Sequence, residues 1–76
     1  MNILDQVIQT VADTLNAPVS SINKSSSTDN INNWDSLAQV NLMIAIEQIF
    51  DFQLEVEDFI NLTSVESITT FIEKNL

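Results

Sequence analysis

Glycine is absent from this chain of 76 residues, and Pro18 is its only proline. Tight β-hairpins depend strongly on glycine and proline, because few other residues accept the backbone angles that their turns require. This chain is poorly equipped to connect many strands, which argues against an all-β fold. Apolar residues make up 45% of it, too large a share for a fully disordered protein.

Helical periodicity is present in three long segments. Apolar residues recur at intervals of three and four in residues 3–15, 36–50 and 65–75. A shorter helix is predicted over residues 56–61, because acidic residues stand at its start, where the helix macrodipole favours negative charge. The predicted fold class is therefore all-α: a small bundle of three longer helices and one short helix.

Capping residues set the predicted helix ends. Asn2 is the expected N-cap of the first helix, and residues 16–18 end it because residues before proline avoid the helical region. Ser36 to Gln39 has the form of a capping box, with Asp35 as a competing N-cap, and Thr63 to Glu66 forms another box before the last helix. The buried stripe of that last helix is expected to consist of Val65, Ile68, Ile72 and Leu76.

Residues 16–35 form a long polar connection between the first two helices. Ser, Thr or Asn occupies 10 of the 14 positions from residue 20 to residue 33, and such side chains compete with helix and strand hydrogen bonds. Ile22 and Ile31 are expected to pin this loop to the core. The length of the chain suits one small domain, which we take as residues 1–76.

The chain contains neither cysteine nor histidine. Disulfides, the usual zinc sites and Ser–His or Cys–His catalysis therefore cannot be built from its own residues. The longest apolar run, residues 42–46, is far too short to span a membrane, and the N-terminus has no secretion signal. We expect a cytoplasmic protein with no metal and no membrane insertion.

The net charge is −9, with 11 acidic residues against Lys24 and Lys74. Phosphate backbones and anionic membranes should repel such a surface, whereas a basic protein partner complements it. Nucleic-acid binding is therefore not expected. Solubility alone is the simpler explanation of the acidity.

The second predicted helix carries apolar residues on two sides. One broad arc is ordinary core and comprises Ala38, Leu42, Met43, Ala45, Ile46, Ile49 and Phe50. A second stripe consists of Leu37, Val40 and Ile44, and its polar neighbours are Asn41, Glu47, Gln48 and Asp51. One helix in so small a bundle cannot bury both sides. The stripe is therefore either an exposed docking surface with a polar rim or a face that the long loop covers.

The residues around Ser36 form a recognisable motif. The predicted junction of the loop and the second helix has the sequence Asn33, Trp34, Asp35, Ser36 and Leu37. The downstream pattern continues with Val40, Leu42, Glu47, Phe50, Asp51 and Leu54, followed by the acidic short helix and Thr63 to Val65. Together with the length and acidity, this pattern resembles an acyl carrier protein over essentially the whole chain.

The resemblance implies a covalent modification. In the family, the serine of the Asp-Ser-Leu motif receives 4'-phosphopantetheine from coenzyme A, and the thiol of this arm carries acyl groups as thioesters. By position Ser36 is that serine, flanked by Asp35, which helps to present it, and by Leu37. A separate phosphopantetheinyl transferase, usually magnesium-dependent, installs the arm. The start of a helix suits the phosphodiester, because unpaired N–H groups there favour an anion.

The resemblance also implies partners that load, condense or transfer acyl groups. In the family the second helix faces these enzymes, which favours the docking interpretation of Leu37, Val40 and Ile44. Glu47 and Asp51, with the neighbouring Asn41 and Gln48, would meet basic patches on the partners in weak, salt-sensitive contacts. We expect a monomeric carrier that is not itself an enzyme.

Several positions depart from the family pattern. Asn33 stands where glycine is common, and asparagine tolerates a left-handed backbone better than most residues. Trp34 either stacks near the arm or closes the loop over the core, and we favour the second. The Trp-Asp-Ser-Leu form resembles stand-alone carriers of specialised fatty-acid, polyketide or related pathways. Ala38 and Gln39 fall where acids are common, as do Asn41 and Gln48, which predicts a dedicated set of partners.

Family members often enclose the acyl chain within the bundle. The candidates to line such a cavity are Met43, Leu54, Phe59, Leu62 and Ile68. Phe59 and Ile68 are bulky where small residues are frequent, which predicts a short or polar cargo.

Three alternatives stay open. A peptidyl or aminoacyl carrier usually has a Gly-Gly-x-Ser form, against which Asp35 and the lack of glycine argue. An unmodified interaction module would use Ser36 only as a cap. Calcium binding by Asp29, Asn30, Asn32, Asn33 and Asp35 fails the EF-hand spacing and lacks its glycine.

Overall fold

A computed structural model describes residues 2–75, and four α-helices form within that range. They are α1 (Ile3–Leu15), α2 (Ser36–Phe50), α3 (Val56–Asn61) and α4 (Val65–Asn75). The predicted all-α bundle of three longer helices and one short helix is confirmed, with the predicted boundaries. None of the helices in the described range is long and apolar enough to cross a membrane.

The ends of α1 follow the predicted signals. The side chain of Asn2 accepts a hydrogen bond from the backbone N–H of Asp5 at 2.8 Å, so Asn2 is the N-cap. Asn16 ends the helix with φ 54, and its N–H donates to the carbonyls of Ala12 and Asp13. The left-handed backbone at Asn16 replaces the glycine that more often occupies such a helix end.

The N-cap of α2 is Asp35, so the predicted capping box from Ser36 to Gln39 is wrong. The carboxylate of Asp35 accepts from the N–H of Ala38 at 2.9 Å, which makes Ser36 the first helical residue. A carboxylate is favoured at this position for two reasons: it accepts a hydrogen bond from an unpaired N–H group, and it lies at the positive end of the helix dipole. Gln39 turns into the protein interior instead of reaching back to a cap.

The last two helices are capped by their own side chains. Glu55 and Asp58 form a capping box at the start of α3. Before α4, the hydroxyl of Ser64 accepts from the N–H of Ser67 at 3.0 Å, and the hydroxyl of Ser67 accepts from the N–H of Ser64 at 3.1 Å. The predicted box from Thr63 to Glu66 is therefore wrong, because α4 begins one residue later than that box requires.

The core lies between α1, α2 and α4. Its fully buried side chains are Val7 and Val11 of α1, Leu42, Met43 and Ile46 of α2, and Val65, Ile68 and Ile72 of α4. The predicted stripe of α4 is thus confirmed at three positions, and Leu76 lies outside the described residues. Ile49 was predicted in the core but is 57% exposed. It lies in the last turn of α2, where no neighbouring element covers it.

The long loop is held by backbone hydrogen bonds that its sequence did not predict. Its backbone reaches the α3–α4 junction, where the N–H of Thr28 donates to the carbonyl of Thr63 and the carbonyl of Ser26 accepts from Val65, both at 3.0 Å. Ile22 is buried and Ile31 packs against the core, as predicted. A short 3-10 helix, Val19–Ser21, was not predicted.

The backbone at Asn33 differs from the expectation. Within residues 2–75 the positive φ angles belong to Asn16 and Asp51, so Asn33 does not replace a left-handed glycine. The chain turns into α2 without that conformation, because the N–H of Trp34 donates to the carbonyl of Ile31 at 3.1 Å and closes the turn.

Candidate functional site

Ser36 lies exposed at the N-terminus of α2. Its neighbour Asp35 caps the helix, and the carbonyl of Asp35 accepts from the N–H of Gln39 at 2.8 Å, so the first turn is well formed. The first N–H groups of a helix have no partner inside the helix and carry partial positive charge. The N–H groups of this turn that Asp35 does not bind would favour a phosphate ester on the Ser36 hydroxyl, while the Asp35 carboxylate itself would repel it.

The chain has no histidine and no cysteine. The Asp35 carboxylate already accepts a hydrogen bond from Ala38, and no His or Cys can act as a base for Ser36 or supply a thiol. Ser36 is therefore suited to be modified by another protein, and any thiol chemistry requires an attached group.

A groove with a volume of about 510 Å³ opens beside Ser36. It is lined by Thr28 of the loop, by Trp34, Asp35, Ser36, Gln39 and Val40 around the start of α2, and by Phe59, Ile60 and Thr63 from α3 and its end. The groove therefore begins at the attachment candidate and runs towards α3. More of its exposed wall is apolar than polar, and Thr28 and Thr63 are among the lining residues.

One of the five predicted cavity residues lines this groove. Phe59 does, whereas the other four lie in the packed interior, with Met43 and Ile68 fully buried and Leu54 and Leu62 nearly so. Sequence reasoning missed Thr28, Gln39, Ile60 and Thr63. Thr28 joins the site through the hydrogen bond to Thr63, a contact between distant segments that no local pattern reveals.

Trp34 closes the loop over the core, as favoured from the sequence. Its side chain is 2% exposed, and its indole Nε1–H donates to Oε1 of Gln39 at 2.7 Å. Trp34 is also among the residues that line the groove beside Ser36. The indole thus forms part of both the core and the site.

The side-chain amide of Gln39 joins the start of α2 to the end of α3. Its Nε2 donates to the carbonyl of Phe59 at 3.1 Å and to the carbonyl of Leu62 at 2.7 Å. Gln39 was noted in the sequence only as a capping residue and as a replacement for an acid. On the helical wheel Gln39 lies within the core arc, between Leu42 and Met43, and this position was the local signal of its inward orientation.

The predicted docking stripe is exposed. Leu37, Val40 and Ile44 keep 71%, 44% and 43% of their surface accessible, so the long loop does not cover them. This stripe, Leu37, Val40 and Ile44, is called the α2 strip below. On α3, Val56 and Ile60 are also exposed, at 78% and 68%, and sequence reasoning overlooked them although their spacing places them on one helix face.

The polar neighbours of the α2 strip divide into two groups. Asn41, Gln48 and Asp51 are exposed, and Asp51 ends α2 with φ 56. Glu47 is only half exposed, and its Oε2 accepts from the N–H of Leu54 at 2.8 Å. Glu47 therefore fixes the connection between α2 and α3 and is a less available charge than the sequence suggested.

The acidic and asparagine-rich loop is organised by its own hydrogen bonds. The side chain of Asn30 accepts from the N–H of Ser27 at 2.9 Å and donates to the carbonyl of Ser25 at 2.9 Å. Across residues 2–75, no three acidic, histidine or cysteine side chains come close enough to hold a metal ion. The side chain of Asn30 thus shapes a turn of the loop.

An exposed serine at the start of a helix, beside a groove, is a site suited to a phosphate ester. A family model described as "Phosphopantetheine attachment site" matches residues 5–72. An acyl carrier protein of Chlamydia felis (strain Fe/C-56) is 32% identical over 73 residues, which cover 96% of this chain and 94% of that relative. The chain belongs to the acyl carrier protein family.

Family membership fixes the cofactor and the general role. The cofactor is 4'-phosphopantetheine, held covalently, and the protein is a carrier rather than a catalyst. A carrier of this kind interacts with acyl-handling enzymes and with the transferase that modifies it.

Proposed function

We propose that Ser36 carries the 4'-phosphopantetheine arm and that the chain delivers acyl thioesters from it. The observation that carries this proposal is the place of Ser36: an exposed hydroxyl at the start of α2, between the capping residue Asp35 and the α2 strip, at the mouth of the groove. Three of the other serines have structural tasks. Ser26 is buried, and Ser64 and Ser67 cap α4.

The residues around Ser36 fit the phosphate end of the arm. The first N–H groups of α2 favour an anion, and the Asp35 carboxylate holds the helix start in place through Ala38. The arm supplies the thiol that forms the thioester. Since the chain has no histidine to accept the Ser36 proton, a separate transferase provides the base, and we assign Asp35 a second contact with that enzyme's magnesium ion.

We assign partner docking to the α2 strip with Asn41, Gln48 and Asp51, and a lesser part to Glu47. Apolar side chains surrounded by polar groups are typical of protein interfaces. The net charge of −9 selects partners with basic surfaces. No acidic residue lies in the first turn of α2, so this surface is less acidic than a general fatty-acid carrier requires, which favours enzymes of a specialised pathway.

We also propose a short or polar cargo. The core residues Met43 and Ile68 are fully buried, whereas the groove beside Ser36 is open and lined by threonines as well as apolar groups. A long alkyl chain would need the core to rearrange, since protein interiors are close-packed.

The test is the intact mass after incubation with coenzyme A, magnesium and a broad-specificity phosphopantetheinyl transferase. We expect a gain of one phosphopantetheinyl unit in the wild type and in Ser20→Ala, an exposed serine of the short 3-10 helix, and no gain in Ser36→Ala. Failure of the wild type with several transferases would indicate an unmodified interaction module. Loading by aminoacyl donors, and not by acyl donors, would indicate an aminoacyl carrier.

A further inference from the structure

The Gln39 amide uses nearly all of its hydrogen-bonding capacity inside the protein. The side chain is 6% exposed, its two N–H groups donate to two carbonyls of one segment, and its oxygen accepts from the indole of Trp34. The orientation of the amide is fixed, because an indole only donates and a backbone carbonyl only accepts. The reversed orientation would break all three bonds.

The helix that Gln39 holds has little else to fasten it. α3 has six residues and none of them is buried, while Val56 and Ile60 face solvent. A helix of this length is not stable on its own, so its position depends on its contacts with the rest of the protein. On the helix and directly after it, those contacts are the half-buried ring of Phe59, the buried Leu62 and the two hydrogen bonds from Gln39. The flanking connections are held separately, by Glu47 at Leu54 and by Thr28 at Thr63.

The same amide stands between the groove and the core. Gln39 and Phe59 both line the groove, and the carbonyl that Gln39 binds most closely belongs to Leu62, a core residue. To pass from the groove into the bundle, a chain attached at Ser36 would have to displace the segment that these hydrogen bonds secure.

We propose that Gln39 is a positioning residue that fastens α3 to the start of α2 and so confines the cargo to the outer groove. The second half of this proposal rests on Ser36 as the attachment site. Gln39 does not react with the arm or the cargo. It sets the size of cargo that the site accepts by keeping α3 in place.

The first experiment uses the unmodified protein and is independent of the proposed function. Gln39→Glu keeps the shape but loses the donors, and Gln39→Leu loses every hydrogen bond of the amide. Gln53→Glu and Gln53→Leu, on an exposed glutamine just before α3, are the matched controls. Amide hydrogen exchange is measured for residues 58–62 and for α1 and α4, together with the fluorescence of Trp34, the chain's one tryptophan.

We expect exchange in residues 58–62 to become about tenfold faster or more in both Gln39 variants, relative to any change in α1 and α4, because buried carbonyls lose their partners. The Trp34 emission should shift to longer wavelength as water reaches the indole. Equal acceleration in all helices, or none in residues 58–62, would overturn the proposal, since Gln39 would then be an ordinary buried residue. Gln39→Glu and Gln39→Leu differ in charge and shape. If one of them fails to fold, the other still tests whether Gln39 fastens α3.

The second experiment uses the loaded protein. The transferase attaches either an acetyl or a dodecanoyl form of the arm, from the corresponding acyl-coenzyme A. In the wild type and the Gln53 controls, we expect the two cargoes to give similar melting temperatures. In the Gln39 variants the dodecanoyl form should melt about 4 °C or more above the acetyl form, because a freed α3 admits the chain to the core.

Unchanged dependence on chain length in the Gln39 variants would refute the control of cargo size. Absence of any mass gain at Ser36 would instead count against the proposed function. The exchange experiment then still decides whether Gln39 fastens α3.

Discussion

The three long helices and the edge formed by α3 are held together in different ways. α1, α2 and α4 share a continuous set of fully buried aliphatic side chains, and each begins at a polar cap. α3 buries no residue of its own and is secured by the Gln39 amide, by Glu47 through Leu54, and by Phe59. Apolar burial provides stability in the first region, and directed hydrogen bonds provide position in the second.

The boundary between the tightly packed core and α3 lies at the candidate site. The attachment candidate Ser36 belongs to α2, a helix that the core holds firmly, while the opposite wall of the groove belongs to α3. Segments that open easily are generally those with few buried apolar contacts. A carrier whose serine is fixed by the core can present its arm reproducibly, and the cargo it accepts then depends on the few polar contacts that hold the groove wall.

The largest expected effect comes from the core. Ile68→Ala removes a fully buried side chain and should lower the free energy of unfolding by about 2–5 kcal/mol, because it leaves a cavity that the neighbours fill only partly. Ile60→Ala, the same change on the exposed face of α3, should stay within about 0.5 kcal/mol. Urea denaturation followed by circular dichroism measures both. Similar losses from the two substitutions would remove the contrast between core and edge.

The next effect concerns the α2 strip. Leu37→Ala should reduce kcat/KM for a cognate acyl-transferring partner by about tenfold, or about 1.4 kcal/mol, with little change in stability, because this exposed leucine is proposed to enter the partner's interface. Ile49→Ala is the control, because Ile49 is also an apolar, exposed residue of the same helix but lies outside the strip. Equal effects on the partner would show that the strip has no special part in docking.

The structure was predictable from the sequence in the three long helices and less so at the contacts that hold α3. The helices were predictable because their signals are local: apolar spacing, Asn2, and the acids before α3. The position of Gln39 within the core arc indicated burial, but its hydrogen bonds were not predictable, because Phe59 and Leu62 are 20 residues or more away along the chain. The capping boxes predicted at Ser36 and Thr63 were each misplaced by one residue. In both places the neighbouring residue, Asp35 or Ser64, can also cap a helix, and it is the one that does.

The third effect tests the cap beside the attachment candidate. Asp35→Ala should cost about 1 kcal/mol of stability through loss of the hydrogen bond from Ala38, whereas Asp35→Asn keeps an accepting oxygen and should cost a few tenths. If the carboxylate also meets the transferase's magnesium ion, both variants should be modified more slowly. If Asp35→Asn is modified at the normal rate, the role of Asp35 is limited to capping α2. Asp29→Ala, another loop acid, controls for the lost charge.

The smallest effect distinguishes the two acids at the far end of α2. Asp51 is exposed and free to face a basic partner, while Glu47 already accepts a hydrogen bond from Leu54. Asp51→Asn keeps a residue that tolerates the left-handed backbone at φ 56, so it should leave stability nearly unchanged and weaken partner binding by about 0.2–1 kcal/mol at low salt.

Glu47→Gln should show a smaller change in binding than Asp51→Asn, because the Glu47 carboxylate is only half exposed. Its amide oxygen can still accept from Leu54, so the end of α2 should keep its form. Titration calorimetry at two salt concentrations compares the pair, with Glu73→Gln on exposed α4 as the control for net charge. The difference between Asp51 and Glu47 should shrink at 0.5 M salt, roughly as the Debye length falls to about 4 Å. A difference that persists there would mean that Asp51 makes a direct hydrogen bond to the partner and does not act mainly through long-range charge.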